Sequence, residues 1–155
     1  MRQRTLVAGI GNVFFGDDGF GVEVASRLAR ESLPDTVRVL DAGIRARDLA
    51  YELVDGGYDT AILVDAAPRG GRPGTLYLID PADAELGVQS LAGVDAHSMT
   101  PAATLAFVHA LGGTSTRIFI VGCEPERVEE GMGLSDPVSA AVPEALSMVR
   151  ELVCA

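Results

Sequence analysis

Cysteine is scarce in this chain: Cys123 and Cys154 are the only two, far apart and without a Cys-x-x-Cys pair. A disulfide-built scaffold is therefore not indicated. No charged-then-apolar leader opens the sequence, so export is not indicated either, and a reducing cytoplasm is the expected compartment. Positive charge is short as well. Twelve Lys and Arg stand against 22 Asp and Glu, a net charge of −10, and such a field repels phosphate backbones and anionic lipid. No nucleic-acid partner is expected. Apolar runs such as Ala61 to Val64 fall far short of the roughly 20 residues that cross a bilayer, so no membrane partner or span is expected. Repeats, linkers and low-complexity segments are missing too. What remains is an ordinary globular balance, 155 residues with 48% hydrophobic and 22% charged. That length and balance predict one domain over residues 1–155 that folds unaided.

Apolar segments alternate between the periods of strand and helix, the pattern of a doubly wound sheet. Thr5 to Ile10 reads as a buried strand ending at the turn Gly9-Ile10-Gly11-Asn12. Phe20, Val24 and Leu28 then recur every fourth residue, on one face of a helix that starts near Asp17 and Asp18, residues suited to capping it. Val37 to Leu40 predicts a second strand closing on Asp41-Ala42-Gly43, and Leu49, Leu53 and Val54 a short helix ending at Gly56-Gly57. Thr60 to Val64 is the most apolar strand and delivers Asp65 at its end. The connection from Gly70 to Gly74 is too short for a crossover helix, so Thr75 to Ile79 is expected to pair antiparallel with its predecessor, making the sheet mixed. A polar loop holding Asp95, His97 and Ser98 precedes a helix from Pro101 through Leu105, Val108 and Leu111. Arg117 to Val121 is a fifth strand. A closing helix carries Val142, Leu146, Val149 and Val153, its regular part expected only from Pro143. The architecture predicted is α/β: a three-layer sandwich with a five-stranded, mixed, mostly parallel sheet and helices on both faces.

Ligands of open α/β sheets gather beyond the carboxyl ends of the strands. The first turn begins like a dinucleotide fingerprint but places Phe14 where the third glycine belongs. Asp17 and Asp18 then open the helix, where a phosphate-binding turn would offer bare N–H groups. That pair repels an anion and favours a cation. Asp65 ends a Val/Ile/Leu run, and an ionised carboxylate approaching a buried environment requires a partner or takes up a proton. A turn or cap role is the competing reading for each. His97 alone reads as a solvated loop residue. If it converges with Asp18 and Asp65, the three offer two oxygens and one imidazole nitrogen, with positions left open on a divalent ion. Asp95, two residues before it, is a candidate to orient the imidazole, a role that a carboxylate on a distant loop would fill as well. His109, among Phe107, Val108 and Leu111, reads as a surface or packing residue.

Other catalytic schemes fail. There is no Gly-x-Ser-x-Gly elbow, no His-Glu-x-x-His and no Walker loop. Ser98 directly follows His97, and adjacent side chains seldom face one another as a nucleophile and base must. Cys123 precedes Glu124-Pro125-Glu126, and acidic neighbours lower a thiolate fraction. It reads as a quiet buried cysteine.

Gly9-Ile10-Gly11-Asn12 followed by Asp17-Asp18-Gly19-x-Gly21-Val22, with Val64-Asp65-Ala66, the His97 loop and Val121-Gly122-Cys123-Glu124-Pro125, resembles the nickel-iron hydrogenase maturation endopeptidases almost end to end. The resemblance implies a five-stranded mixed sheet flanked by helices, and a site in which Asp18, Asp65 and His97 serve as metal ligands and catalytic groups. It implies an enzyme that removes a short C-terminal extension from a hydrogenase large-subunit precursor once nickel is inserted. The nickel would arrive with that substrate, no tightly held metal of the enzyme's own is expected, and the enzyme is expected to be a monomer. An O,O,N set is poor in soft ligands, so it shares such a nickel without retaining it. The metal would polarise the scissile carbonyl or a water.

Two departures stand out. Many relatives carry Glu where this chain has Asp18, which shortens the ligand arm by a methylene. Relatives commonly show Asp-Gly-Gly-Thr where this chain reads Asp41-Ala42-Gly43-Ile44, losing the hydroxyl. Asp41, Gly43 and Asn12 are expected to line the substrate groove. Two other readings compete: a nickel-responsive checkpoint module of the same fold without peptidase activity, and a dinucleotide-dependent enzyme. The missing third glycine and the Asp17–Asp18 pair oppose the latter.

Overall fold

Two strands are apolar almost throughout, and they set the centre of the sheet. The computed structural model describes residues 3–81 and 100–154. In it β1 (Thr5–Ile10) is buried at every position and β3 (Thr60–Ala66) at five consecutive ones, as strands covered on both faces require. Around them lie β2 (Val37–Gly43), β4 (Leu76–Ile79) and β5 (Arg117–Cys123), in the order β2-β1-β3-β5-β4. All pairs are parallel except β4 with β5. The helices are α1 (Phe20–Leu28), α2 (Ala46–Asp55), α3 (Pro101–Ala110) and α4 (Asp136–Cys154), and a 3-10 turn over Gly16–Gly19 precedes α1.

Alternate residues of one strand feed opposite cores. Val7, Ile62, Val64 and Val121 pack with Phe20 of α1 and Val142 of α4. Leu6, Ala8, Leu63 and Ile120 pack with Leu49 of α2 and Val108 of α3. Helices therefore cover both faces, and the three-layer, mostly parallel architecture expected from the sequence is the one observed.

Four local expectations are corrected. β4 pairs with β5 and not with β3. The connection before it crosses the end of β5, with Ala67 N–H donating to Cys123 O at 2.8 Å and Gly74 N–H to Glu124 O at 2.9 Å. Its shortness excludes a crossover helix but still spans one intervening strand, about 10 Å. β3 and β5 each run two residues further than expected, so Asp65 lies inside β3. α4 starts at Asp136 and contains Pro143. The carbonyl that Pro143 leaves unpaired belongs to Ser139, and both residues are exposed, so water satisfies it at little expense. In α3, Thr100 caps the helix by accepting from Ala103 N–H at 3.1 Å. The buried face of α3 is Ala103, Thr104, Ala106 and Val108, while Leu111 beyond its end is exposed.

Candidate functional site

The glycines of the first turn exist for packing. A side chain at Gly21 would run into the carbonyl oxygens of Val64 and Ile10, so only glycine lets α1 sit directly on the ends of β1 and β3. At Gly11, with φ +130°, a Cβ would collide with the backbone oxygen of Asp18. These close approaches hold the 3-10 turn over the carboxyl edge of the sheet, with Asp65 beside it. The Asp65 Oδ1 lies 3.3 Å from the point a Gly11 Cβ would occupy, so Gly11 is wedged between Asp18 and Asp65.

Among the described residues the two carboxylates are poorly supplied with donors. Asp18 Oδ2 accepts from Asn12 N–H at 2.8 Å, and Asp65 Oδ1 from its neighbour Ala66 N–H at 2.7 Å. Asp65 is buried. Burial first, and the Asp18 charge second, push its carboxyl well above the usual carboxylate range, with only the Ala66 N–H opposing. Burial likewise raises Asp18 against the Asn12 N–H. Two carboxyls sharing one poorly solvated corner resist double ionisation.

Asp17 faces the other way. Neither it nor Asp18 makes the expected side-chain cap. Asp17 is fully buried and accepts from the N–H groups of Glu126 (2.8 Å), Arg127 (2.9 Å) and Ser135 (2.7 Å) and from the Ser135 hydroxyl (2.8 Å). Burial raises its carboxyl, but these hydrogen bonds outweigh that, and it sits below the usual value. Glu124 is a second buried clamp. It accepts from Arg69 N–H at 2.9 Å, Gly71 N–H at 2.8 Å and the Tyr77 hydroxyl at 2.7 Å. The Tyr77 bond leads in holding it below its ordinary range. The sequence reading missed both clamps. The signal for Asp17 was the doubled acid, since one helix start has use for only one cap.

Of the other expected site residues, Asn12, Asp41 and Gly43 fall on the same edge. Asp41 is exposed at the end of β2, beside Gly9 in register, and Gly43 O accepts from Gly11 N–H at 2.9 Å. Asn12 closes an Asx turn, its Oδ1 accepting from Phe14 N–H at 2.9 Å. His97, with Asp95 and Ser98, lies outside the described residues. Among the described residues no group of three His, Cys, Asp or Glu is placed to hold an ion; Asp18 and Asp65 lie on either side of Gly11. His109 is exposed. Cys123 is buried, and burial together with the charges of Asp17 and Glu124 pushes its thiol up to about 12, as an inert cysteine requires. A cavity of about 350 Å³ opens beside Asp65, walled by Ala66, Ala67, Ile79, Pro101 and Ile120 with Arg69 at its side.

The fold that carries this site is that of a known class of endopeptidase. The hydrogenase maturating endopeptidase HybD of Escherichia coli superposes with a TM-score of 0.74 at 26% identity, covering 95% of this chain and 90% of that one. The family model described as hydrogenase maturation protease matches residues 22–152. A relative in Methanocaldococcus jannaschii is 36% identical over 151 residues, 96% of this chain and 95% of its own. The hydrogenase 2 maturation protease of Escherichia coli is 30% identical over 149 residues, 95% of this chain and 88% of its own. The chain belongs to the hydrogenase maturation protease family and is an endopeptidase. Among the described residues no helix is long and apolar enough to cross a membrane.

Proposed function

We propose that this endopeptidase removes the C-terminal extension of a nickel-loaded hydrogenase large-subunit precursor in the cytoplasm, with Asp18, Asp65 and His97 meeting the nickel that the precursor carries. The observation that carries this reading is the pairing of two donor-poor carboxyls at one strand edge. Structural carboxylates in this same molecule are saturated with N–H donors. Asp18 and Asp65 keep lone pairs free, and a cation brought between them turns their mutual repulsion into attraction. Hard oxygen donors hold nickel weakly against thiolates, so the enzyme reads the metal without removing it. Nickel held by these groups would supply Lewis-acid polarisation to a scissile carbonyl or to a water beside it. Asn12, Asp41 and Gly43 line the groove along which the extension lies, and the enzyme works as a monomer.

The test is intact mass of the precursor after incubation with wild type and with His97→Ala, with and without nickel. The reading expects shortening only by wild type and only with nickel. Shortening of nickel-free precursor rejects the nickel requirement, and full activity of His97→Ala removes that residue from the site. Nickel-dependent binding without shortening identifies a checkpoint module instead.

A further inference from the structure

The large apolar side chains left in water are not scattered. Of the eight exposed among the described residues, five follow the carboxyl ends of strands: Phe14, Phe15, Ile44, Val128 and Met132. Four of these sit on two loops joined to each other. Gly16 N–H donates to Gly131 O at 2.7 Å, Gly131 N–H to Phe14 O at 2.8 Å and Asp17 N–H to Arg127 O at 2.9 Å. The Asp17 carboxylate ties the second loop down from beneath. Met132 is 74% and Phe14 59% exposed. A rigidly held apolar cluster of this kind on a protein surface marks a contact for another macromolecule.

Its chemistry is specific. Between the loops lies a hollow of about 250 Å³ lined by Gly16, Arg127, Glu129, Glu130 and Met132. Glu129 and Glu130 are exposed there, and Glu126 is exposed on the same loop. Arg127, the one cation in the hollow's wall among the described residues, lies 3.7 Å from Glu129 and is already paired. A thioether beside carboxylates that outnumber the cation among them suits a Lys or Arg side chain, its aliphatic stem on Met132 and its head at Glu130 and Glu129. A second copy of this chain would bring the same acidic rim against itself.

We infer that these two loops form the docking surface for the precursor, taking a patch of its folded face in which a Lys or Arg anchor is set among apolar residues. This rests on the functional reading above and adds the place of contact. The surface adjoins the site through the same segment, since Phe14 and Phe15 directly precede the turn that carries Asp18. Docking here therefore delivers the extension to the carboxylates.

The experiment measures affinity for a nickel-loaded large-subunit precursor and its shortening, for wild type, Met132→Asp, Phe14→Ser, Glu130→Lys and Asp65→Asn. Met132→Asp is expected to weaken binding by about tenfold or more, the effect of losing a central apolar anchor. Phe14→Ser is expected to weaken it less, with thermal stability unchanged in both. Glu130→Lys is expected to slow association and flatten its salt dependence. Asp65→Asn, which loses a group of the site itself, is expected to leave the precursor unshortened. If wild type shortens the precursor and the three surface variants bind and shorten it equally well, the surface is overturned while the function stands. If Met132→Asp instead separates a dimer into monomers without touching precursor affinity, the face belongs to a second copy. A wild type that shortens no such precursor overturns the functional reading, and the surface with it.

Discussion

Asp17 and Asp18 are neighbours on one 3-10 turn, yet Asp17 accepts four hydrogen bonds from the loop that follows β5 and Asp18 accepts one, from Asn12. The first carboxyl is held below its ordinary range and the second above it. With Asp18 goes Asp65, buried and raised further by the Asp18 charge. The contrast separates two uses of one residue type. A carboxylate saturated by amides fixes a loop; a carboxylate left short of donors beside another stays available for chemistry, at some expense in stability.

The largest effect that would break the comparison is on turnover. Asp65→Asn is expected to lower precursor cleavage at least about a hundredfold, the scale of a lost acid–base or ligand group, while its stability at pH 7 holds or rises. An Asp17→Asn variant that folds normally but loses as much turnover would erase the distinction. Next comes stability. Asp17→Ala strands one buried amide, that of Ser135, and two partly buried ones, those of Glu126 and Arg127, and is expected to lose roughly 3 kcal/mol in urea unfolding, given about 1–3 kcal/mol for each unsatisfied donor. Asp18→Ala is expected to change stability far less.

The pH dependence sharpens the contrast because the signs oppose. Asp17 is lowered in the folded state, so its contribution is present above the ordinary value of 3.8 and disappears as pH falls through its folded value below that. Asp65 is raised, so folding is favoured where it is protonated, below 3.8, and that advantage is lost as pH rises through its higher folded value. The stability gained by Asp65→Asn at pH 7 is therefore expected to vanish below about pH 3.8, a crossing that paired urea titrations at several pH values read directly. The smallest effect concerns the thiols. With Cys123 buried and pushed to about 12 and Cys154 exposed, a thiol reagent at pH 8 is expected to add one label to the folded protein and two in denaturant.

Much of the fold was legible because a doubly wound sheet writes itself in alternation: continuous apolar runs for β1 and β3, four-residue spacing for α1, a proline opening α3. The partner of β4 was not legible, since a nine-residue connection, 67–75, fits a hairpin or a step over one strand, and only the arrival of β5 decides. Asp18 and Asp65 could be picked out because a carboxylate at the end of an apolar strand, or a second one at a helix start, lacks an ordinary structural use. Asp17 could not be separated from Asp18, because its partners, Glu126, Arg127 and Ser135, lie more than a hundred residues away. The docking loops were hidden for a related reason: Phe14 and Met132 read as ordinary apolar residues until the fold leaves them in water.

The central claim is that cleavage runs through the donor-poor pair. Intact mass of a nickel-loaded hydrogenase large-subunit precursor, taken after incubation with Asp18→Asn or Asp65→Asn under conditions where wild type shortens it fully, tests this most directly. The account predicts that the precursor keeps its extension with either variant. Shortening by both at the wild-type rate would contradict it.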